Sequence, residues 1–146
     1  MKMFLSAPYT IHIDSDTGLI QDNFRTFLQE IIDYFQNRGI EVVSAHSREE
    51  WGADIYSPNK AIVSDFNSIT DVDFLVAYIG VPPSPGVLME LGFAASKKKR
   101  IIILVEKGES IPYLAQGLNE WTQTEFIYFD KINDLLSTFD KMIYGE

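Results

Sequence analysis

The stretch Phe74–Ser96 reads FLVAYIGVPPSPGVLMELGFAAS, and it predicts a buried strand, a tight turn and a helix that starts at Pro85. The first five residues are nearly all apolar, and the glycines and prolines that follow them indicate a turn. The only charged side chain in the whole stretch is Glu90. Burying an unpaired carboxylate is costly, so this residue is expected to have a partner or a chemical function.

The same alternation of strand and helix continues in both directions from this stretch. Near-continuous apolar strands separated by amphipathic helices are typical of a parallel sheet covered on both faces. We therefore predict an α/β fold with a single Rossmann-like (flavodoxin-like), doubly wound, five-stranded parallel sheet, in one domain over residues 1–146. The predicted strands lie at 2–6, 40–44, 73–79, 100–105 and 125–129, and the helices at 20–37, 58–69, 85–96 and 132–143.

The composition excludes several classes of site. The chain has no cysteine and two histidines, so a thiol nucleophile, a disulfide and a histidine-rich metal site are excluded, and we expect neither metal nor cofactor. No apolar run approaches the ~20 residues of a membrane span, and the first residues are too short in apolar length for a signal peptide. We expect a cytoplasmic protein that has no membrane partner.

The net charge of −9 argues against nucleic acid as a partner, because binding to a phosphate backbone needs a basic surface. The one basic cluster, residues 97–100, closes the helix that carries Glu90. Its simplest function is to complement the negative end of that helix.

In a doubly wound sheet, ligands bind beyond the carboxyl ends of the strands. The loops at 7–10, 45–51 and 80–86 should therefore line the site. They contain Tyr9, His46 and Trp51, whose rings either stack on a base or simply pack.

The residues Ser84, Pro85 and Gly86 could bind an anion at a helix N-terminus. Serine is a preferred N-cap residue, and proline suits the first helical position, so a plain helix cap also explains them. A phosphate could use the same hydroxyl and N–H groups.

Two carboxylates are the candidates for chemistry. The field of the helix N-terminus should favour the ionised form of Glu90, which suits a nucleophile or a stabiliser of a cationic transition state, although a satisfied buried acid fits the pattern too. By itself Asp65 is typical of a solvated helix residue. Together the two could form the carboxylate pair that cleaves glycosidic bonds.

At these residues the chain resembles the nucleoside 2-deoxyribosyltransferase superfamily, whose helix motif matches Gly86–Gly92. More narrowly it resembles the N-glycosidases of CMP and hydroxymethyl-CMP. The matching stretches extend over about residues 4 to 118 and are Phe4–Tyr9, Ala45–Ala53, Ser57–Pro58 and Gly80–Gly86, together with Glu90.

The resemblance implies a function for each matched residue. Glu90 would be the nucleophile or the oxocarbenium stabiliser at C1′, and Asp65 would hydrogen-bond the sugar or assist the leaving base. Ser84 and Gly86 would bind the 5′-phosphate. Transferases of free nucleosides tend to carry aspartate at the Ser84 position, and an aspartate would repel a phosphate. Further positions matched to the nucleotide are Ala7, Tyr9, Thr10 and His46. Some relatives carry arginine at the position of Thr10, where it is thought to contact the substituent of the base. Thr10 therefore does not indicate whether CMP or hydroxymethyl-CMP is preferred.

The resemblance also implies a homodimer in which the neighbouring subunit closes the site, with residues 112–121 as the contributing segment. The expected reaction is hydrolysis of the N-glycosidic bond of a pyrimidine nucleoside 5′-monophosphate to ribose 5-phosphate and free base. The alternatives are deoxyribosyl transfer between bases, hydrolysis of purine deoxynucleotides, and a nucleotide sensor that binds without cleaving.

Overall fold

The computed structural model describes residues 1–145, and its centre is one five-stranded sheet. The strands lie in the order β2-β1-β3-β4-β5 and all neighbours are parallel. The chain leaves β1 for β2 on one side and returns on the other side as β3, so the β1–β3 boundary is the switch point of the topology. The predicted sheet is confirmed. The strands are β1 Lys2–Ser6, β2 Glu41–Ser44, β3 Phe74–Tyr78, β4 Arg100–Glu106 and β5 Thr124–Phe129.

Helices cover both faces of the sheet, also as predicted. One face packs against α1 (Asp22–Gln36) and α5 (Ile132–Tyr144), and the other against α3 (Pro58–Asp71) and α4 (Pro85–Ser96). Consecutive side chains of a strand point to opposite faces, so β3 supplies both cores. Its residues Phe74 and Val76 face α1 and α5, whereas Leu75 and Ala77 face α3 and α4.

Local chemistry explains the element boundaries. The strand β1 and the helix α4 have the predicted limits, and Ser84 caps α4 ahead of a proline at its first position. The helix α1 begins two residues later than predicted, because Ile20 forms an antiparallel bridge with Ile13. After its end the backbone of Gly39 adopts φ +78°, a conformation that favours glycine.

The segment after β2 is not the open loop that the sequence suggested. It forms a short helix, α2 (Ala45–Arg48), and then a 3-10 turn at Glu50–Gly52. The side chain of Ser44 caps α2 by accepting from the backbone N–H of Ser47 at 3.1 Å. This cap explains why a helical turn begins directly at the end of the strand.

Within the basic cluster at residues 97–100, Lys99 binds the end of a neighbouring helix, α3. The ammonium of Lys99 donates to the carbonyl oxygens of Thr70 and Val72 at 2.9 and 2.7 Å. These carbonyls lie at the C-terminal end of α3, where the last carbonyl groups have no N–H donor within the helix. Across residues 1–145, no helix combines the length and the apolar character needed to cross a membrane.

Candidate active site

A cavity of about 490 Å³ opens at the carboxyl end of β1, next to α3 and α4. A volume of this size is typical of small-molecule sites. Every residue that the resemblance placed in the site lines it, although these residues come from separate segments of the chain. These residues are Ala7, Tyr9, Thr10, His46, Asp65, Ser84, Gly86 and Glu90.

The carboxyl group of Glu90 lies in this cavity and is bound by β1. The hydroxyl of Ser6, the last residue of the strand, donates to Oε1 of Glu90 at 2.6 Å. Burial raises the pKa of Glu90 to about 8, and the neighbouring Asp65 adds to the rise through its charge and a hydrogen bond. Burial therefore favours the protonated form of Glu90 and opposes the expectation that the helix field keeps this group ionised.

Asp65 is not a solvated helix residue. Nη2 of Arg48 donates to Oδ1 of Asp65 at 2.6 Å, and the side chain of Asp65 is only 17% exposed. Its negative charge acts on Glu90, so the two carboxyl groups form a neighbouring pair in one cavity. The carboxylate pair suggested by the sequence is thus present in the structure, with a cation behind one of its members.

Two residues that bind the carboxyl pair, Ser6 and Arg48, were not identified from the sequence. Ser6 is 1% exposed and stands at the carboxyl end of a central strand, and its position there was a usable signal. The contact between Arg48 and Asp65 joins α2 to α3, and no spacing rule connects residues on two different helices. Only the packing of the two helices shows it.

The start of α4 offers polar groups to the same cavity. Ser84 Oγ accepts from the N–H of Val87 at 3.4 Å, a long bond that leaves the hydroxyl available to a ligand. A Cβ added at Gly86 would meet only Ser84 Oγ, at 3.8 Å, so nothing in the protein requires glycine at this position. No lysine or arginine lines the cavity within residues 1–145. An anion here would therefore be bound by N–H groups and a hydroxyl.

Two aromatic residues of the lining, Tyr9 and His46, are packed against each other. The rings of Tyr9 and His46 stack at 4.6 Å, and Nε2 of His46 donates to the carbonyl oxygen of Pro8 at 2.8 Å. Burial lowers the pKa of His46 to about 4, and burial with the nearby Glu49 raises that of Tyr9 to about 12, so both are neutral at pH 7. Trp51, the third ring expected there, lies in the core against α1 and does not line the cavity.

Two of the lining loops contact each other at their bases. Gly80 has φ +90°, and a Cβ built on it would lie 2.5 Å from Cγ of Pro8. Only glycine fits there, because both the backbone conformation and the contact exclude a side chain. The loop that carries Ser84 therefore packs directly on the loop that carries Tyr9.

The chain is similar to several solved structures over nearly its whole length. BlsM, solved in solution, is 30% identical, with 99% of this chain and 90% of that chain covered and a TM-score of 0.83. The CMP N-glycosidase BcmB of Clostridium botulinum is 24% identical, with 96% and 98% covered and a TM-score of 0.75. A 2-deoxyribosyltransferase of Bacillus psychrosaccharolyticus is 17% identical, with 93% and 90% covered and a TM-score of 0.66. No protein-family model and no curated protein matches the sequence.

Proposed function

The chain belongs to the nucleoside 2-deoxyribosyltransferase-like superfamily, and on that premise we propose that it hydrolyses the N-glycosidic bond of a pyrimidine nucleoside 5′-monophosphate, CMP or hydroxymethyl-CMP. The products would be ribose 5-phosphate and the free base. The observation that carries the proposal is one cavity that combines a carboxyl pair, Asp65 and Glu90, with the N-terminus of a helix at Ser84 and Gly86.

The helix start suits the phosphate of the substrate. Ser84 and the N–H groups of Gly86 and Val87 lie at the positive end of α4, where an anion is stabilised. Glu90 follows Ser84 by six residues, or ~9 Å along the helix axis. A nucleotide whose phosphate binds at Ser84 would therefore extend its sugar toward Glu90. The binding energy of the phosphate would hold C1′ in place for the reaction.

The two carboxyl groups would divide the chemistry between them. The bond between C1′ and the base nitrogen breaks, its electrons leave with the base, and a water oxygen is finally attached to C1′. The base needs one proton, and the raised pKa of Glu90 means that the pair carries one at neutral pH. Passing this proton to the departing base would leave Glu90 as the carboxylate that stabilises or attacks C1′, while Asp65 bonds the sugar or relays the proton. Water would then add its hydroxyl to C1′, which breaks any ester bond to Glu90, and its second proton would return to the carboxyl pair and restore the starting state.

The rim of the cavity supports the further proposal of a homodimer. Three apolar residues that line the cavity, Ile55, Ile62 and Met89, are 52%, 40% and 57% exposed. Tyr113 and Leu114, in the segment expected to reach a neighbouring subunit, are 91% and 86% exposed. A second copy that covers the rim would remove this apolar surface from water. Sedimentation of the purified protein tests this, and a monomer at micromolar concentration would contradict it.

Chromatography of digests of CMP, dCMP, hydroxymethyl-CMP and cytidine tests the reaction. We expect free base from a nucleotide and much less from cytidine, since cytidine lacks the phosphate. Glu90→Gln should abolish turnover, whereas Glu30→Gln, an exposed change on α1, should not. Ser84→Asp should impair nucleotide use more than nucleoside use, because it places a negative charge beside the phosphate.

Three outcomes would contradict the proposal, each in a different way. Equal rates on CMP and cytidine would remove the phosphate from the argument. A new nucleoside formed from a deoxynucleoside and a second free base would indicate transfer. Binding of CMP in calorimetry without release of base would indicate a sensor.

A further inference from the structure

Arg48 lies directly behind the carboxyl pair, at the end of α2, but does not itself line the cavity. Its Nη2 atom bonds Oδ1 of Asp65 at 2.6 Å and lies 3.6 Å from Oε2 of Glu49. The other nitrogens, Nε and Nη1, are buried and have no hydrogen-bond partner within residues 1–145. Asp65 is therefore the main acceptor of this guanidinium.

The surroundings of Arg48 fix its position. Glu49 is 4% exposed, and its Oε1 accepts from the backbone N–H of Tyr56 at 2.9 Å. The guanidinium carbon lies 5.1 Å from the centre of the Tyr56 ring. A planar guanidinium held by an acid and an aromatic ring has little freedom to turn, so it presents its donor to Asp65 in one orientation.

The carboxyl pair needs such a cation. Glu49, Asp65 and Glu90 place three acidic groups around one end of the cavity, and neither lysine nor arginine lines the cavity within the described part of the chain. Without Arg48, nothing on this side would hold Oδ1 of Asp65, and the carboxyl group could rotate away from the substrate. With Arg48 in place, the second oxygen of Asp65, Oδ2, stays directed at one position in the cavity.

We propose that Arg48 is a positioning residue, which binds one oxygen of Asp65 so that the other is presented to the substrate and to Glu90. The inference rests on the proposed function, since it assigns Arg48 a part in the same reaction. A purely structural ion pair between α2 and α3 is the competing explanation. The two explanations differ in whether the effect of Arg48 on the rate passes through Asp65.

A double-mutant cycle separates them, with release of base from CMP as the measurement. Arg48→Gln should lower kcat roughly 10- to 100-fold, the range expected for directly interacting residues, with KM largely unchanged. Arg48→Lys should recover part of the loss, because the ammonium restores the charge but not the planar geometry. The double variant with Asp65→Asn should be no slower than Asp65→Asn alone, since Arg48 would have nothing left to position.

Arg38→Gln is the matched control. It breaks an ion pair with Asp140 of α5, at 3.1 Å, that lies just past the end of α1 on the opposite face of the sheet, and it should leave the rate unchanged. Circular dichroism checks the fold of every variant. If Arg48→Gln fails to fold, Arg48→Lys replaces it in the cycle under the same criterion.

Two results would overturn the inference alone: a kcat of Arg48→Gln equal to the parental value, or a double variant whose loss is the product of the two single losses. A parent protein that releases no base from any nucleotide would instead overturn the proposed function, and the inference with it. The parental measurement distinguishes the two failures.

Discussion

The acid at residue 90 should reduce the stability of the protein as the pH rises. In the folded protein the pKa of Glu90 is raised from 4.5 to about 8, so between these values the folded state keeps a proton that the unfolded chain loses. Stability is therefore lost as the pH rises from 4.5 through 8. Glu90→Gln removes this loss, because the amide stays neutral. At ~1.36 kcal/mol per pKa unit, its advantage should grow from ~1 kcal/mol at pH 5 toward an upper limit of ~5 kcal/mol above pH 8.

Urea denaturation at pH 5 and pH 8.5 measures this difference, because it gives the free energy of unfolding of each variant directly. The amide of Glu90→Gln can still accept from Ser6, so the substitution changes charge with little change in shape. Glu30→Gln on the exposed face of α1 is the matched control, because it makes the same change of charge outside the cavity. An advantage of Glu90→Gln that is the same at both pH values would refute the reasoning.

Three other predictions concern the cavity. Ser6→Ala removes a hydrogen bond to the charged form of Glu90 and should raise the midpoint of its carboxyl titration, followed by carbon NMR, by about 1–2 pH units; an unmoved midpoint would rule this out. Gly86→Ala should fold as stably as the parent but raise KM for CMP about 10-fold, because the methyl group occupies the phosphate position beside Ser84; an unchanged KM would place the phosphate elsewhere. The buried ring of His46 should stay neutral and carry its proton on Nε2 down to about pH 4 in nitrogen NMR, and titration near pH 6.5 would contradict its burial.

Much of the fold follows from periodicity. Five apolar runs predicted the five strands, and the amphipathic spacing predicted the four long helices within about two residues at their starts. The short elements were not predictable in this way. The helix α2 depends on a single cap by Ser44, and the 3-10 turn that follows it depends on left-handed backbone at Glu50 and Trp51, which the residue types do not indicate.

For the candidate site, the sequence identified the carboxyl groups but neither their protonation state nor their contacts. Glu90 stood out because it is the only charge in a long apolar stretch, and the topology rule brought the three loops together. Its protonation could not be read in advance, since it depends on how much water the fold excludes and on the distance to Asp65. Arg48 was hidden for a related reason: its partner is 17 residues away on another helix, and only their packing makes the pair.

The contact between Gly80 and Pro8 makes two segments of the candidate site change together. A side chain at residue 80 would push the other segment outward and shift Tyr9. Positions 8 and 80, where the two segments touch, therefore tolerate little variation. Thr10, which is exposed at the outer end, has no such restriction. Under the proposed function, new nucleobase preferences should therefore arise by exchanges at the periphery of the cavity, and engineering for altered nucleobases has its most tolerant starting point there.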